Sequence, residues 1–403
     1  MNILAINCGS TSLKFRLVSS GEGANVDRQR RIASGTVNSI GPSAQIDFSA
    51  ETGTELRETR ELEGLGAAVQ LALRWLQSSV LRNDIRIDAV GHRIVHGGAD
   101  FRGPVRIDAT TIGKLEALEE LAPLHNAPAL EAVRAVIAVL SEGVPAVATF
   151  DTTFHLTMPS RAALYALPLD LMQRHGIRRY GFHGLAHRSM VNRYAALTEQ
   201  PLDRVRLVTL QLGGGCSITA VDGGHSVDTS MGFTPLEGLM MATRSGDLDP
   251  SLPAFLAARE RLTAEQVDHV LNSGSGLLGV SGRSEDVREL LHAETGGDAR
   301  SALAVEMFCY RVRKAIGAYL AALGGAESVV FGGGIGEHSP VLRARICEGL
   351  DWCGLTLDPA RNSGATGGEA RVSADGASVY AYVIPSDEES IIVSDTAECL
   401  SAR

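Results

Sequence analysis

Lysine is almost missing from this chain: Lys14, Lys114 and Lys314 stand among 37 basic residues, and the rest are arginine. Such a bias toward arginine singles out the few lysines that persist, Lys14 above all. Positive charge is scarce as well, with a formal net charge of −10 and a pI near 5.6. That argues against nucleic acid or an anionic membrane as the main partner. It leaves room for a phosphorylated small molecule, which a few arginines and backbone amides can hold. The six cysteines are scattered, with no C-x-x-C pair and no zinc spacing, a pattern suited to a reducing cytosol. No apolar run approaches the ~18–20 residues of a membrane span. The first residues, MNILAINCGS, enter a strand pattern at once, without the basic start of a signal peptide. The expectation is a cytoplasmic protein. With 403 residues, 44% of them apolar and 21% charged, the chain has length for two or three globular domains.

What is present in abundance is glycine beside hydroxyls. The densest case is Leu207 to Pro250. An apolar run, Leu207 to Leu210, leads through Gln211-Leu212 to Gly213-Gly214-Gly215, then Ser217 and a second apolar run, Ile218 to Val221. Strand, glycine loop and returning strand form a hairpin whose backbone N–H groups can hold an anion. The following segments, Thr229 to Pro235 and Thr243 to Pro250, show neither helical nor strand period and are expected to be ordered by what they bind. Residues 2–18 repeat the hairpin: an apolar strand, then Asn7-Cys8-Gly9-Ser10-Thr11-Ser12, then alternating Leu13, Phe15 and Leu17. Two such hairpins suggest an internal duplication, with two similar α/β domains presenting loops to a common cleft.

Further motifs fall at the ends of apolar runs. The run Ile87 to Val90 leads into Gly91-His92-Arg93-Ile94-Val95-His96-Gly97-Gly98, which reads as a ligand loop. Helical patterns at 111–121 and 128–140 are separated by a segment containing Leu124, His125 and Asn126. The strand Val144 to Thr149 runs into Asp151, the place where α/β proteins put functional groups. His183 and His187 lack a carboxylate or cysteine at ligand spacing, so zinc is not indicated. The strand Ser328 to Phe331 precedes Gly332-Gly333-Gly334-Ile335-Gly336-Glu337-His338, again a phosphate-type turn, though without the P-loop lysine or the full dinucleotide fingerprint. After Tyr380 to Ile384 come Asp387, Glu388 and Glu389, which could carry a cation or could simply favour a helix N-terminus. The stripe of Leu62, Leu65, Val69, Leu73, Leu76 and Val80 marks a core helix, with Trp75 as packing.

Taken together, NCGSTSLKF, GHRIVHGG, LAPLHNAP, FDTTFH, RYGFHG, VDTSMGFTPLEG and TRSGDLDP resemble the acetate kinase family, within the acetate, propionate and butyrate kinases of the actin–sugar kinase–Hsp70 superfamily. The similarity runs from Asn7 to Glu388. It implies two duplicated actin-like (ribonuclease H-like) α/β domains with a central cleft: 1–152 plus 385–403, and 153–384. It also implies Mg2+-dependent phosphoryl transfer, with Mn2+ as a substitute, from ATP to acetate, giving acetyl phosphate and ADP in a homodimer. Asn7 and Glu388 would position the metal, and Lys14, Ser10 and Ser12 would approach the phosphates. Arg93 and Arg244 would clamp the carboxylate and the phosphoryl group. His183 would stabilise the transition state, with His125 lining the same pocket and Asp151 acting as acid/base or, better suited to a carboxylate acceptor, as an orienting group. Val95, Leu124, Phe182 and Pro235 would form the acyl pocket.

The departures from the family pattern lie on the nucleotide side. Where the family has H-L-G-N-G, this chain has Gln211-Leu212-Gly213-Gly214-Gly215. Where it has S-D-F/L-R, the chain has Glu285-Asp286-Val287-Arg288, and G-I-G-E-N ends here in His338. ATP is the first expectation, because both glycine turns persist; another nucleotide or pyrophosphate is the alternative. Propionate or butyrate could replace acetate. A non-catalytic nucleotide-binding regulator of the same superfamily is the reading from a different class, opposed by the intact Arg93, Asp151, His183 and Arg244.

Overall fold

The structure is a computed structural model that describes residues 1–9, 11–19, 30–81, 85–118, 123–140 and 143–402. The chain forms two units, Met1–Phe154 with Asp387–Arg403, and His155–Ser386.

In the first unit the described strands are β1 (Asn2–Cys8), β2 (Leu13–Ser19), β3 (Arg30–Asn38), β4 (Ala44–Ala50), β5 (Glu55–Arg60), β6 (Ala89–Ile94), β7 (Val105–Arg106) and β8 (Ala146–Phe150). They make one sheet in the order β5-β4-β3-β2-β1-β6-β8-β7. Strands β1 to β5 form an antiparallel meander, while β6 runs parallel to both β1 and β8. The apolar sequence of β1 follows from its central place, because a strand covered on both faces needs no polar alternation. Leu4, Ile6 and Cys8 join a core with Leu13, Phe15, Phe48 and Trp75. Ile3 and Ala5, equally buried, alternate to the other face. The helix Glu388–Ser401 packs on β1, β6 and β8. Trp75 sits 5.4 Å from the Phe48 ring, so it is packing, as its helical stripe predicts.

The second unit repeats the plan. Its described strands are β9 (Arg206–Leu212), β10 (Cys216–Asp222), β11 (His225–Thr229), β12 (Ser328–Gly332), β13 (Ala370–Arg371) and β14 (Tyr380–Val383), in the order β11-β10-β9-β12-β14-β13. Again an antiparallel run (β11, β10, β9) continues into parallel neighbours (β9, β12, β14). The order β11-β10-β9-β12-β14 matches β3-β2-β1-β6-β8 strand for strand. That is the duplicated α/β architecture the paired hairpins suggest, in the actin-like, ribonuclease H-like form the resemblance implies. The helix Ala299–Leu323 packs on β9 and β10; Asp298 caps its start by accepting from Ser301 N at 2.9 Å, and Gly324 ends it in the left-handed region at φ 67°. Among the described residues no helix is long and apolar enough to cross a membrane.

Three expectations need correction. Gly91 to Ile94 are strand rather than loop, so Arg93 projects from the ladder of β6, paired with Thr149 of β8. The helix expected at 128–140 spans Pro123–Val139 and carries Pro128 inside it. It starts five residues earlier than the periodicity indicates, because Pro128 removes one N–H donor of the ladder without ending the helix. Finally, the segment after β11 is ordered by its own contacts. Gly238 N donates to Asp247 Oδ1 at 2.8 Å, Asp247 N to Gly238 O at 2.9 Å, and Met241 N to Arg244 O at 3.1 Å.

Candidate active site

In the first unit, β6 and β8 run side by side and deliver Arg93 and Asp151. Asp151, fully buried just past β8, accepts two parallel bonds from the guanidinium: Nε at 2.9 Å and Nη2 at 2.6 Å. Such a fork fixes the plane as well as the position of the arginine. Arg93 Nη1 donates to Asn7 Oδ1 at 3.0 Å and lies 3.6 Å from Glu388 Oε2. Burial disfavours the charge on Arg93, but Asp151 and then Glu388 outweigh it and hold its pKa above the ordinary value. Asn7, at the end of β1, donates from Nδ2 to Glu388 Oε2 at 2.6 Å and Glu389 Oε1 at 2.9 Å. Asp387 caps the last helix by accepting from Ser390 N at 3.1 Å and pairs with Arg16 at 2.8 Å.

These groups suit a hard divalent cation. Arg16 and Arg93 face four carboxylates (Asp151, Asp387, Glu388, Glu389), and the oxygens of Asn7, Glu388 and Glu389 are the donor type that Mg2+ prefers. Among the described residues no group of three or more His, Cys, Asp or Glu could hold a metal alone. A cation held by Asn7 and Glu388 would share its coordination with substrate oxygens, as Mg2+ commonly does. Lys14 is exposed on β2 opposite Asn7, Ser12 is half-buried, and Val95 is buried. Ser10 lies outside the described residues. Leu124 and His125 fall in the first turn of the helix Pro123–Val139, with side chains outside the described residues. Asn126, beside them, grips the backbone of His96 from both sides, accepting from its N–H and donating to its carbonyl, each at 3.0 Å.

In the second unit, the glycine turn between β9 and β10 gathers His183 and Arg244. A side chain at Gly215 would place its Cβ 3.4 Å from His183 Cε1 and 3.6 Å from Arg244 Nη1. The space over Gly215 is thus flanked by an imidazole and a guanidinium. Arg244 Nη1 donates to Pro235 O at 3.2 Å, and burial lowers its pKa from the usual arginine value. The Arg244 loop is seated on the start of the helix Gly276–Ser281: Ser275, Leu277 and Leu278 donate backbone N–H groups to Thr243, Met241 and Ala242 carbonyls, each at 2.9 Å. Gly276 makes this possible, since at φ +63° its Cβ would fall 2.2 Å from Met241 O. His183 stands at φ 56° before the helix Gly184–Leu197, with Phe182 buried beside it. Its Nδ1 lies 2.8 Å from Ser217 Oγ, which lies 2.8 Å from His187 Nε2; His187 Nδ1 lies 2.8 Å from Thr209 Oγ1.

After β12, the second glycine turn packs directly on the first. Gly333, at φ +72°, approaches so closely that a Cβ would sit 2.5 Å from Leu212 O. Gly213 N donates to Gly215 O at 3.1 Å, and Gly214 is exposed with its carbonyl accepting from Ala242 N at 3.1 Å. Gln211 Oε1 is a buried acceptor without a partner in the structure, at the edge of this turn. The short helix Gly333–His338 carries exposed Gly334, half-buried Ile335, buried Gly336, Glu337 (accepting from Ser386 N at 3.2 Å) and exposed His338. Arg343, wholly buried, ties this helix down by donating to Gly336 O at 2.8 Å and Glu337 O at 3.1 Å. Asp286 caps the helix Val287–Thr295 and binds the exposed Arg288; Val287 is buried. Asn126, Arg343 and the role of Ser217 beside His187 are not evident from the sequence. Of these only Ser217 carried a signal, as the hydroxyl next to a glycine loop.

Comparison with known proteins places this geometry. Residues 2–394 match the Acetokinase family. An acetate kinase of Solibacter usitatus (strain Ellin6076) is 44% identical over 407 residues, covering 99% of this chain and 98% of that protein. The crystal structure of Porphyromonas gingivalis acetate kinase superposes with a TM-score of 0.88 at 39% identity, covering 99% of each chain. That of a propionate kinase from Francisella tularensis subsp. tularensis SCHU S4 also reaches 0.88, at 35% identity, covering 98% of this chain and 99% of that one. The chain belongs to the acetokinase family.

Proposed function

We propose that this protein is an acetate kinase that moves a phosphoryl group reversibly between ATP and acetate, yielding acetyl phosphate and ADP. The observation that carries this reading is the fork between Asp151 and Arg93. A guanidinium locked in one plane, still bearing its charge while largely buried, is a receptor for a small carboxylate or for transferring phosphoryl oxygens.

The chemistry needs little more than placement. An acetate oxygen attacks the γ-phosphorus as the bond to the β–γ bridging oxygen breaks, and ADP leaves with that electron pair. At neutral pH the acceptor is already ionised, so no proton has to be removed. The obstacle is repulsion between two anions and the charge on a metaphosphate-like transition state. In this reading the first unit handles carboxylate and metal through Arg93, Asn7 and Glu388, with Asp151 orienting Arg93 rather than taking a proton. The second unit handles phosphoryl and nucleotide through Arg244, His183 and the two glycine turns. Mg2+, held by Asn7 and Glu388, would neutralise phosphate charge when bound. Lys14 would add charge toward the phosphates, and Val95, Phe182 and Pro235 would shape the acyl site.

Hydroxylamine trapping of acyl phosphate tests the reading, with acetate, propionate and butyrate against ATP, GTP and pyrophosphate. Hydroxamate formed from acetate and ATP supports it; no hydroxamate with any pair would replace it with the non-catalytic binder. Propionate belongs in the panel because the propionate kinase structure superposes as well as an acetate kinase does. We extend the proposal to a cytoplasmic homodimer, which sedimentation would register as twice the 42.6 kDa chain.

A further inference from the structure

The Ser217 hydroxyl lies 2.8 Å from a nitrogen of each of two imidazoles, His183 Nδ1 and His187 Nε2. Ser217 is fully buried and its hydroxyl meets no other acceptor among the described residues, so its one proton goes to one of these rings and it accepts from the other. His187 is wholly buried, and burial, followed by the nearby His155 and His183, drives its pKa well below the usual value. It is therefore neutral and carries a single N–H.

The far end of the chain of bonds decides where that N–H resides. Thr209 Oγ1 lies 2.8 Å from His187 Nδ1 but 3.5 Å from Thr219 O, a distance at which an O–H···O bond is weak. The threonine proton is thus better placed on His187 Nδ1. The His187 proton then sits on Nε2 and points at Ser217 Oγ, and Ser217 in turn donates to His183 Nδ1. A ring that accepts at Nδ1 carries its proton on Nε2. That nitrogen lies 3.5 Å from the Cβ position of Gly215, beside Arg244 Nη1 at 3.6 Å from the same point.

We infer that Thr209, His187 and Ser217 form a directional hydrogen-bond chain that holds His183 in the tautomer presenting Nε2–H to the space over the glycine turn. Ser217 and His187 are positioning residues. They give His183 a donor where an anionic oxygen would sit, and they deny it the alternative tautomer, whose bare Nε2 would repel that oxygen. The inference rests on the phosphoryl-transfer reading for its consequence, but the tautomer itself is independent of it.

The test uses the full chain with 15N-labelled histidine. In the wild type, His183 should show a protonated Nε2 and an unprotonated Nδ1 near neutral pH; the reverse would overturn the inference without any variant. In Ser217→Ala, the His183 signals should shift toward a mixture of tautomers. The kcat for acyl phosphate formation should fall about tenfold or more while KM for acetate and ATP stays within about threefold, since orientation rather than uniform binding is lost. A Ser217→Ala protein with unchanged tautomer and unchanged kcat would also overturn it. If the wild type makes no acyl phosphate, the reaction reading fails while the nitrogen shifts still decide the relay.

Discussion

At the scale of the residue, the decisive feature is how Arg93 is spent. Nε and Nη2 donate to Asp151 and Nη1 to Asn7, which leaves a second N–H on each outer nitrogen for a ligand. Asp151→Asn keeps the shape but turns one acceptor into a donor facing another donor. Turnover should fall about a hundredfold or more, with acetate KM altered far less, and steady-state kinetics on the purified variant would show it. Near-normal turnover would mean that Asp151 does not govern Arg93. Gly215→Ala probes the other unit. Its Cβ would meet only ordinary contacts at 3.4 to 3.6 Å, so the protein should melt within a few degrees of wild type while phosphoryl transfer drops. Wild-type activity in that variant would show that the space over Gly215 is not used. Arg93 and Asp151 were legible in the sequence because each follows an apolar strand pattern directly. The His183–Ser217–His187 relay was not, because it joins a helix to a hairpin, and spacing says nothing of which hydroxyl meets which ring nitrogen.

At the scale of the element, the Arg244 loop and the helix Gly276–Ser281 behave as one piece. Gly276→Ala would force a Cβ into Met241 O at 2.2 Å and Arg244 O at 2.8 Å while straining a left-handed φ. The cost is about 1–3 kcal/mol for the strain, before the carbonyls move. We expect a lowered Tm together with a loss of activity larger than the loss of folded protein, measured on the folded fraction. An unchanged Tm would show that the loop yields at no cost. Much of the element plan could be read beforehand: both hairpins, and the strands leading to Asp151 and Gly332. The start of the helix at Pro123 could not, since proline and glycine punctuation outweighs periodicity in a linear reading. Nor could the order of residues 230–250, whose bonds run between backbone groups that composition does not reveal.

At the scale of the whole molecule, two of the four histidines buried among the described residues, His92 and His187, contribute to the response to acid. Burial holds His92 down to about 3 and His187 well below its usual value, so each is neutral when folded. Their folded pKa values are depressed, so the unfolded chain binds more protons below about pH 6.5. Stability is then full above that pH and falls as pH drops toward the folded values. With both histidines the slope reaches about 2.7 kcal/mol per pH unit, and denaturant titrations between pH 7 and 4 would measure it. His92→Gln should make that slope shallower by about half; an unchanged slope would assign the acid sensitivity elsewhere. The helix Glu388–Ser401 carries a different consequence. It covers β1, β6 and β8 and brings Glu388 to Asn7, nearly the whole chain away in sequence. During synthesis on the ribosome, the first-made sheet must wait, one face bare, while every residue of the second unit is translated. Glu388 and Glu389 reach Asn7 only when that helix emerges, so no shorter nascent fragment can complete the cluster beside Arg93.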